Sequence, residues 1–416
     1  MSRMKVMEFV PEFVLPGAEI MVKNLLIGLH DSGAIGGSDG DSNSGKVDVI
    51  GVSLYDTHNS ITEDLASAGV PLYFLHKKSG LDLKLYLSIA KLLRAEHPDV
   101  VHTHLYSAKY VLPIARLYGI PVLIHTVHNL AQYELRPGQR RLQNWLYQHG
   151  DVTPVSISPT IAKSIEKVYS LPESRCPVIV NGVDGADRTP GTDKLTKAEQ
   201  YNGGDVINST NVVDASDITH SVSDTQYESK AHPFVFLHVG RYANQKNHAM
   251  LLSSFAAVHA ELPNTRLVLV GQGELFDTVK HQIQKLGLTE CVTQVGALTD
   301  VSPWYKRADA FVLSSKYEGF PITLIEAFHA GLTCVCTRVG GVPDIIESGR
   351  NGLLAEIDKE DFAAAMTAVA ANPVLSKRLS DAALKDSAHY STRAMSDAYI
   401  ALFEQLLRRG RDIGDK

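Results

Sequence analysis

The sequence predicts an α/β protein with two domains, each built on a parallel β-sheet. Its 416 residues exceed what one hydrophobic core usually organises, and 44% of them are hydrophobic, which is enough for two cores. Short β-branched runs alternate with segments of helical spacing, as they do in β-α-β units. This alternation stops after about residue 184 and starts again near residue 233, so we expect two successive sheets.

The predicted strands form two series. The first series consists of Lys5 to Val10, Val47 to Ser53, Val70 to Leu75, Val100 to Thr103, Val122 to Thr126 and Val152 to Ser156. The second consists of Phe234 to Val239, Arg266 to Val270, Val292 to Val295, Asp309 to Ser314 and Thr333 to Cys336. We therefore place one domain in residues 1–184 and the other in residues 233–390.

Two polar stretches and a final helix complete this organisation. Residues 185–232 carry few large apolar side chains to offset their ordering entropy, so we interpret them as a flexible linker. Residues 31–46 are similar, and their Asp39 and Asp41 fit a glycine-rich loop better than a metal site. From Ser391 to Arg409, apolar residues recur at helical spacing and must pack on another surface.

Composition excludes several classes of protein. The net charge of -6 argues against a nucleic-acid partner, because such proteins need a basic surface. Cys176, Cys291, Cys334 and Cys336 have neither disulfide nor metal-site spacing, so we expect buried thiols in a reducing cytoplasm. No sustained apolar stretch precedes Pro11, and no segment reaches about 18 uninterrupted apolar residues, so we expect neither secretion nor a membrane span.

The most informative segment runs from Tyr317 to Gly331 and follows an apolar strand. Proline is favoured at the first position of a helix and glycine just after its end, which predicts a helix from about Pro321 to Ala330. Its free N–H groups, near Ile322, would lie at the carboxyl edge of the sheet and attract an anionic ligand. Glu318 and Glu326 would then bracket the phosphates, with one carboxylate near a sugar and the other near a ribose.

Further candidate residues lie at the ends of predicted strands. Arg241 and Lys246 occupy the loop after the first strand of the second domain, where two cations can clamp a diphosphate and stabilise its departure. His128 ends a strand of the first domain. For His102 and His104, at the end of another strand, a functional and a structural role are equally favoured.

Several of these motifs together resemble the family 4 retaining glycosyltransferases of the GT-B fold. The motifs are Glu318-x7-Glu326, Gly240-Arg241 followed by Lys246, Val180-Asn181-Gly182-Val183-Asp184, Pro16-Gly17-Ala18-Glu19 and Gly271-Gln272-Gly273-Glu274. The likeness covers nearly the whole chain. It implies two Rossmann-like domains facing each other across a cleft, with a C-terminal helix in residues 391–416 that crosses back to complete the first domain.

The resemblance also implies a set of site residues. Arg241 and Lys246 would hold the diphosphate of a nucleotide diphosphate-sugar donor, Glu326 the ribose and Glu318 the transferred sugar. Backbone groups would complete the donor site at Gly17, Ala297, Leu298, Gly319, Phe320, Pro321 and Ile322. The implied catalytic residues are His128, Arg241, Lys246 and Glu318. Transfer would proceed with retention, by a same-face mechanism that needs no bound metal or other cofactor.

The acceptor implied by the resemblance is a sugar or a lipid-linked oligosaccharide, used in cell-surface polysaccharide or glycolipid synthesis at the cytoplasmic face of a membrane. One segment fits equally a membrane-facing rim and an ordinary amphipathic helix; it contains Arg136, Arg140, Arg141, Leu142, Trp145 and Leu146. Two alternatives share the architecture, a nucleotide-sugar 2-epimerase and a catalytically idle sugar-binding scaffold. The two cations and two glutamates favour the transferase.

Overall fold

The structure is a computed structural model that describes residues 3–13, 18–34, 47–80, 82–135, 137–183, 232–298 and 300–414. The described residues divide into two compact units, one formed by residues up to 183 together with those from 389, and the other by residues 232–388. Four predicted features lie outside the described residues: Gly17, Arg136 of the predicted rim, the linker up to residue 231, and the loop from residue 35 with Asp39 and Asp41.

The first unit contains a six-stranded parallel sheet. Its strands are β1 (Met4–Val10), β2 (Val47–Ser53), β3 (Leu72–Phe74), β4 (Val100–His104), β5 (Val122–Val127) and β6 (Val152–Ser156). They are ordered β3-β2-β1-β4-β5-β6, so the direction of winding reverses between β1 and β4. Ligands bind at such a reversal in doubly wound sheets, outside the carboxyl ends of the strands.

Seven helices connect these strands. They are α1 (Ala18–Ala34), α2 (Ser60–Ser67), α3 (Leu83–Glu96), α4 (Ala108–Leu117), α5 (Ala131–Glu134), α6 (Pro137–His149) and α7 (Pro159–Tyr169). Several begin at polar side chains that accept hydrogen bonds from the first free N–H groups, as Asn59 does for α2 and Ser158 for α7. These caps fix the helix starts.

The second unit repeats the same winding. Its strands are β7 (Phe234–Val239), β8 (Thr265–Val270), β9 (Val292–Val295), β10 (Ala310–Leu313), β11 (Thr333–Thr337) and β12 (Leu353–Ala355), ordered β12-β11-β10-β7-β8-β9. The strand β12 was not predicted, because three residues are too short a run to show alternation. The helices are α8 (His248–Glu261), α9 (Phe276–Lys285), α10 (Ser302–Arg307), α11 (Ile322–His329), α12 (Lys359–Ala371) and α13 (Pro373–Ser387).

The last helix, α14 (Thr392–Gly414), belongs to the first unit and packs on α1 and β5. The apolar stripe is buried there at Met395, Tyr399 and Phe403, as the helical spacing required. Gly182 allows the approach, since a Cβ at this position would lie 2.3 Å from the Ser391 carbonyl oxygen. The GT-B fold class is confirmed by the two parallel sheets and by this returning helix. The four cysteines are free and buried.

Within the described residues, every helix is too short or too polar to cross a membrane.

Candidate functional site

The predicted donor residues of the second unit lie on two loops that meet at the carboxyl edge of its sheet. The loops meet because β7 and β10 are neighbours in the sheet. The Lys316 N–H donates to the carbonyl of Gln245 at 2.8 Å, and the Ser314 hydroxyl donates to the carbonyl of Lys246 at 2.8 Å. These bonds fix the loop that carries Lys246 against the loop that carries Glu318.

The two loops bring Lys246 and Glu318 into direct contact. The Lys246 Nζ lies 2.6 Å from Oε1 of Glu318, and the Ser315 hydroxyl donates to the same oxygen at 2.6 Å. Both side chains are largely buried, with 14% and 7% of the lysine and glutamate side chains exposed. A buried carboxylate needs a paired cation and hydrogen bonds, and this one has both. The structure therefore couples two residues that the sequence treated as separate contacts.

Arg241 differs from Lys246 in its exposure. Its guanidinium lies 3.2 Å from the Glu274 carboxylate, and about two thirds of the arginine side chain is exposed. Such a surface pair contributes little to stability, so Arg241 can exchange Glu274 for another anion at low cost. Glu274 closes the motif that begins at Gly271, and the Tyr242 N–H donates to the Gln272 carbonyl at 3.0 Å. This motif therefore borders the predicted diphosphate position.

A glycine pair that the sequence reasoning missed supports the backbone of Glu318. Gly340 has a φ of +50°, and a Cβ there would lie 1.8 Å from the Glu318 carbonyl oxygen. The next amide, of Gly341, donates to that oxygen at 3.3 Å. Only glycine fits this approach. The available signal was a Gly-Gly pair that begins four residues after a predicted strand.

The helix after Glu318 starts one residue later than predicted and ends one residue earlier. It runs from Ile322 to His329, and Pro321 is the extended residue before it rather than its first residue. The Pro321 carbonyl accepts the Leu324 N–H at 3.1 Å, so the proline still sets the helix start. Phe320 is buried beneath this turn and Gly319 is half-buried.

Glu326 lies one turn into α11 and is half-buried. The Tyr305 hydroxyl donates to its Oε2 at 2.8 Å and also lies 3.1 Å from the Thr323 carbonyl oxygen. Burial raises the pKa of Glu326 to about 7, and the hydrogen bond from Tyr305 opposes that rise only in part. This carboxyl therefore titrates near neutrality. The sequence did not indicate Tyr305.

Ala297 and Leu298 follow β9 at the edge of the second sheet. Ala297 is exposed and Leu298 is half-buried. The strand β9 is separated from β7 by β8, so these residues are displaced from the Lys246–Glu318 pair along the sheet edge. Their predicted role at the nucleotide base stays a prediction.

The first unit contains a different arrangement, centred on Glu8 of β1. His102 and His104 lie two residues apart on β4, so their side chains share one face of the sheet. Glu8 pairs with His102 in the strand register, and its Oε2 lies 2.8 Å from His102 Nδ1 and 2.9 Å from His104 Nε2. All three side chains are fully buried.

His128, which directly follows β5, is attached to this group. Its Nε2 lies 3.0 Å from His104 Nδ1, and its backbone N–H donates to Glu134 at 3.2 Å. Its Nδ1 is buried and has no hydrogen-bond partner among the described residues. On the other side of the group, His102 Nε2 lies 2.7 Å from the Thr126 hydroxyl, which is 2.8 Å from the hydroxyl of Tyr399 on α14.

We call Tyr399, Thr126, His102, Glu8, His104 and His128 the buried polar chain. His102 and His104, for which the sequence favoured a functional and a structural role equally, are both connected to the candidate His128 through this chain. Sequence reasoning missed Glu8, although a lone glutamate inside the apolar run Met4–Val10 requires a buried partner.

Burial and neighbouring charges set the ionisation of this chain. Burial alone would raise the pKa of Glu8, but the charge and hydrogen bond of His102 and the hydrogen bond of His104 outweigh it and lower that pKa to about 2. Burial and the charge of His102 lower the pKa of His104 to about 4. Burial also lowers the pKa of His128 well below its ordinary value, and the charge of His104 adds to this. At neutral pH the chain therefore contains an ionised Glu8 beside neutral His104 and His128.

One group of described residues has the geometry to hold a metal ion. Ligand atoms of Glu8, His102 and His104 all lie within 4.8 Å of one another. Each ring nitrogen that faces Glu8 already makes a hydrogen bond of 2.8 or 2.9 Å with it. The predicted absence of a metal stays a prediction.

The segment discussed as a membrane rim forms α6, which is amphipathic. Leu146 faces the core, so it cannot belong to a rim, whereas Trp145 and Leu142 are 48% and 37% exposed. The Arg116 guanidinium lies 5.8 Å from the centre of the Trp145 ring, and Leu117, which follows it, is 83% exposed. The exposed Trp145 ring thus lies beside Arg116, and Leu142 is exposed one turn away on the same helix.

Comparison with known proteins agrees with the fold and the motifs. The Glycosyltransferase Family 4 model matches residues 36–186 and the Glycosyl transferases group 1 model matches residues 222–386, together well over half of the chain. The chain is 29% identical over 304 residues to the UDP-Gal:alpha-D-GlcNAc-diphosphoundecaprenol alpha-1,3-galactosyltransferase of Escherichia coli, which covers 71% of this chain and 72% of that protein.

Solved structures extend the likeness to nearly the full length. A glycosyltransferase from Rickettsia africae superposes with a TM-score of 0.74 at 17% identity, covering 98% of this chain and 99% of that one. Anabaena HepE in complex with UDP and glucose superposes with a TM-score of 0.71 at 16% identity, covering 97% and 100%. At these identities the structures establish the fold. Together with the family models, they show that this chain belongs to the family 4 glycosyltransferases of the GT-B fold and is a glycosyltransferase rather than an idle scaffold.

Proposed function

We propose that the chain is a retaining glycosyltransferase that moves a sugar from a nucleotide diphosphate-sugar to a sugar or a lipid-linked oligosaccharide acceptor. The observation that carries this proposal is the contact between Lys246 and Glu318 at the carboxyl edge of the second sheet. In this contact, a cation suited to a leaving diphosphate lies beside a carboxylate suited to accept hydrogen bonds from sugar hydroxyls.

The donor site follows from the surroundings of this pair. The start of α11, next to Glu318, offers backbone N–H groups that have no acceptor within the helix, and these attract phosphate oxygens. Arg241 releases Glu274 and binds the second phosphate through its planar fork. Glu326 binds the ribose hydroxyls in its ionised form.

The chemistry is a substitution at the anomeric carbon. The bond from that carbon to the diphosphate breaks, and the two cations stabilise the negative charge that grows on the leaving oxygen. Glu318 is already engaged by Lys246 and Ser315, so we assign it to holding the sugar rather than to forming a covalent intermediate. The acceptor hydroxyl then attacks the face that the diphosphate leaves and passes its proton to the departing diphosphate oxygen, so the configuration is retained.

A uridine nucleotide is the first donor to test. The Escherichia coli relative is named for UDP-Gal, and the Anabaena structure contains UDP and glucose. A panel of nucleotide-sugars should show protection against thermal unfolding and slow hydrolysis for one donor. NMR of the product should show an anomeric proton with the donor's configuration. Inversion would exclude the retaining mechanism, and protection by no member of the panel would contradict the donor assignment.

The acceptor proposal concerns the exposed surface around Trp145. The Escherichia coli relative is named for a diphosphoundecaprenol-linked acceptor. A protein that uses such a lipid acts at a membrane surface. For a protein located in the cytoplasm, that surface is the inner face of the membrane. Trp145 and Leu142 are exposed one turn apart on α6 with Arg116 beside the Trp145 ring, and an exposed apolar pair next to a cation suits an anionic bilayer. Sedimentation with anionic vesicles should fall for Trp145→Ser and stay unchanged for Tyr317→Ser, which alters an equally exposed aromatic residue of the other unit. Equal binding by the two variants would contradict this proposal.

A further inference from the structure

The buried polar chain connects a residue of the last helix to the candidate His128 through an unbroken series of short contacts. From Tyr399 to His128 the successive distances are 2.8, 2.7, 2.8, 2.9 and 3.0 Å. Every member except His128 is fully buried. In such a series, each hydrogen bond determines which partner donates in the next.

The direction of donation follows from Glu8. An ionised carboxylate only accepts hydrogen bonds, so the proton of the bond between Glu8 and His104 lies on His104 Nε2. A neutral imidazole carries one proton, so His104 Nδ1 is an acceptor. The bond between His104 Nδ1 and His128 Nε2 then requires the proton on His128 Nε2. Nδ1 of His128 is left with a lone pair.

We propose that Glu8 and His104 are positioning residues that fix the tautomer of His128, so that its Nδ1 accepts a hydrogen bond from a hydroxyl group of the bound sugar. The proposal rests on the proposed function and on the expectation, implied by the family resemblance, that His128 is an active-site residue. The unpartnered Nδ1 supports it. A buried acceptor without a partner costs free energy, and a hydrogen bond from a ligand hydroxyl would remove that cost.

The neighbouring His125 provides a contrast within the same sheet. It lies on β5 and is fully buried, and its Nδ1 contacts the hydroxyl and the carbonyl of Thr103 at 3.0 and 3.1 Å. Its Nε2 lies 3.9 Å from Glu134 and has no hydrogen-bond partner among the described residues. Because side chains alternate along a strand, His125 and Thr126 point to opposite faces of the sheet. His125 is therefore outside the buried polar chain, and it serves as a matched control.

The tautomer is measured directly by the ¹⁵N resonances of the imidazole ring in the full-length protein without ligand. The His128 resonances are identified by their loss in His128→Gln. We expect a protonated Nε2 and an unprotonated Nδ1 in the wild type. His104→Phe should leave Nε2 without its acceptor and produce a mixture of both tautomers, whereas His125→Phe should leave the His128 resonances unchanged.

Glu8→Gln provides a second variant in case His104→Phe does not fold. The amide donates as well as accepts, so His104 can reverse its orientation of donation and the tautomer of His128 should shift. Protonation of His128 Nδ1 in the wild type would overturn the proposal. So would an unchanged His128 tautomer in both variants, or one equivalent of tightly bound metal in the purified wild-type protein.

Kinetics separate positioning from simple support of the fold. A partner that orients a functional imidazole typically changes activity by roughly tenfold to a hundredfold. We expect a loss of that size in kcat/KM for the donor in His104→Phe, with His125→Phe close to wild type. An altered tautomer with wild-type kcat/KM would overturn the positioning role. Failure to find any donor would contradict the proposed function instead, and the tautomer would remain measurable.

Discussion

The two units share one winding order of six parallel strands, yet the carboxyl edges of their sheets carry opposite chemistry. In the second unit, Lys246 pairs with Glu318 and the exposed Arg241 pairs with Glu274. In the first unit, the carboxylate of Glu8 lies among buried histidines. The same topology therefore positions a charged site in one unit and a mostly uncharged hydrogen-bonded array in the other.

The difference suggests a division of work. Cations that can exchange a carboxylate for a phosphate suit the anionic part of a donor. Imidazoles held neutral by burial suit the hydroxyl groups of a sugar, because a fixed lone pair recognises a donor group without attracting anions. Topology specifies where each site lies, and the side chains at the strand ends specify what each site binds.

The largest effect is expected from removing the cations of the second unit. Arg241→Ala and Lys246→Ala should depress turnover more than donor affinity, because these groups face charge that grows in the transition state. Loss of one such donor raises the barrier by roughly 2.7 to 4 kcal/mol, about a hundredfold to a thousandfold in rate. Steady-state kinetics at saturating acceptor, with donor affinity measured separately, provide the comparison.

Three further variants serve as controls for that test. Lys377→Ala removes an exposed lysine that pairs with Asp381 in the same unit, and it should leave turnover unchanged. Arg241→Lys should restore little, since an ammonium cannot reproduce the planar fork. The double variant should lose less than the sum of the single losses, because both cations act on one diphosphate. If both alanine variants kept wild-type turnover at saturating donor, the cations would bind the donor without stabilising the transition state, which would contradict this prediction.

A smaller effect should distinguish the two glutamates. Glu326→Gln should weaken the binding of the donor and of the free nucleoside diphosphate by the same amount, roughly 1 to 3 kcal/mol for a charged hydrogen bond. Glu318→Gln should lower turnover and leave nucleotide binding nearly intact, because Lys246 keeps an amide oxygen as partner. Calorimetry with the nucleoside diphosphate measures the affinity of each variant for the nucleotide. Equal losses in the two variants would contradict the assignment.

The contacts of this site were predictable from the sequence where the residues lie close together along the chain, and not where they lie far apart. Glu318 and Glu326 were predictable as a pair, because the spacing and the strand-turn-helix pattern are local. The contact between Lys246 and Glu318 was not, since it depends on β7 and β10 becoming neighbours. Glu8 and His102 meet through strand register across more than 90 residues, and no local pattern records that pairing.

The smallest effect concerns pH. Because burial raises the pKa of Glu326 to about 7, the fraction of protein with an ionised acceptor for the ribose increases from pH 6 to pH 8. Donor affinity should rise by roughly tenfold over that interval, in proportion to the competent fraction. A nucleotide-sugar is the suitable ligand, since its diphosphate is esterified at both ends. Glu326→Gln should abolish the dependence of donor affinity on pH. If this variant kept the wild-type dependence, a group other than Glu326 would be responsible for it.

Stability should respond to pH with opposite signs at the two sites. The folded protein holds a proton on Glu326 between pH 4.5 and about 7 that the unfolded chain releases, so this group lowers stability as pH rises through that interval. His104 is held neutral, with its pKa lowered from 6.5 to about 4, so its contribution is complete above pH 6.5 and is lost as pH falls towards 4. Urea unfolding across this range, compared with Glu326→Gln and His104→Phe, resolves the two contributions.

The return of α14 to the first unit also bears on how the protein is made. Residues 232–388 are contiguous, so the second unit can fold as soon as they leave the ribosome. The first unit must wait, because Tyr399 and Phe403, which cover its histidines, are synthesised after the whole of the second unit. Domains usually fold in the order of their synthesis, but here the first unit is completed after the second. Until Tyr399 has been synthesised, the hydroxyl of Thr126 lacks this partner, and a first unit without α14 is the state that a chaperone would encounter.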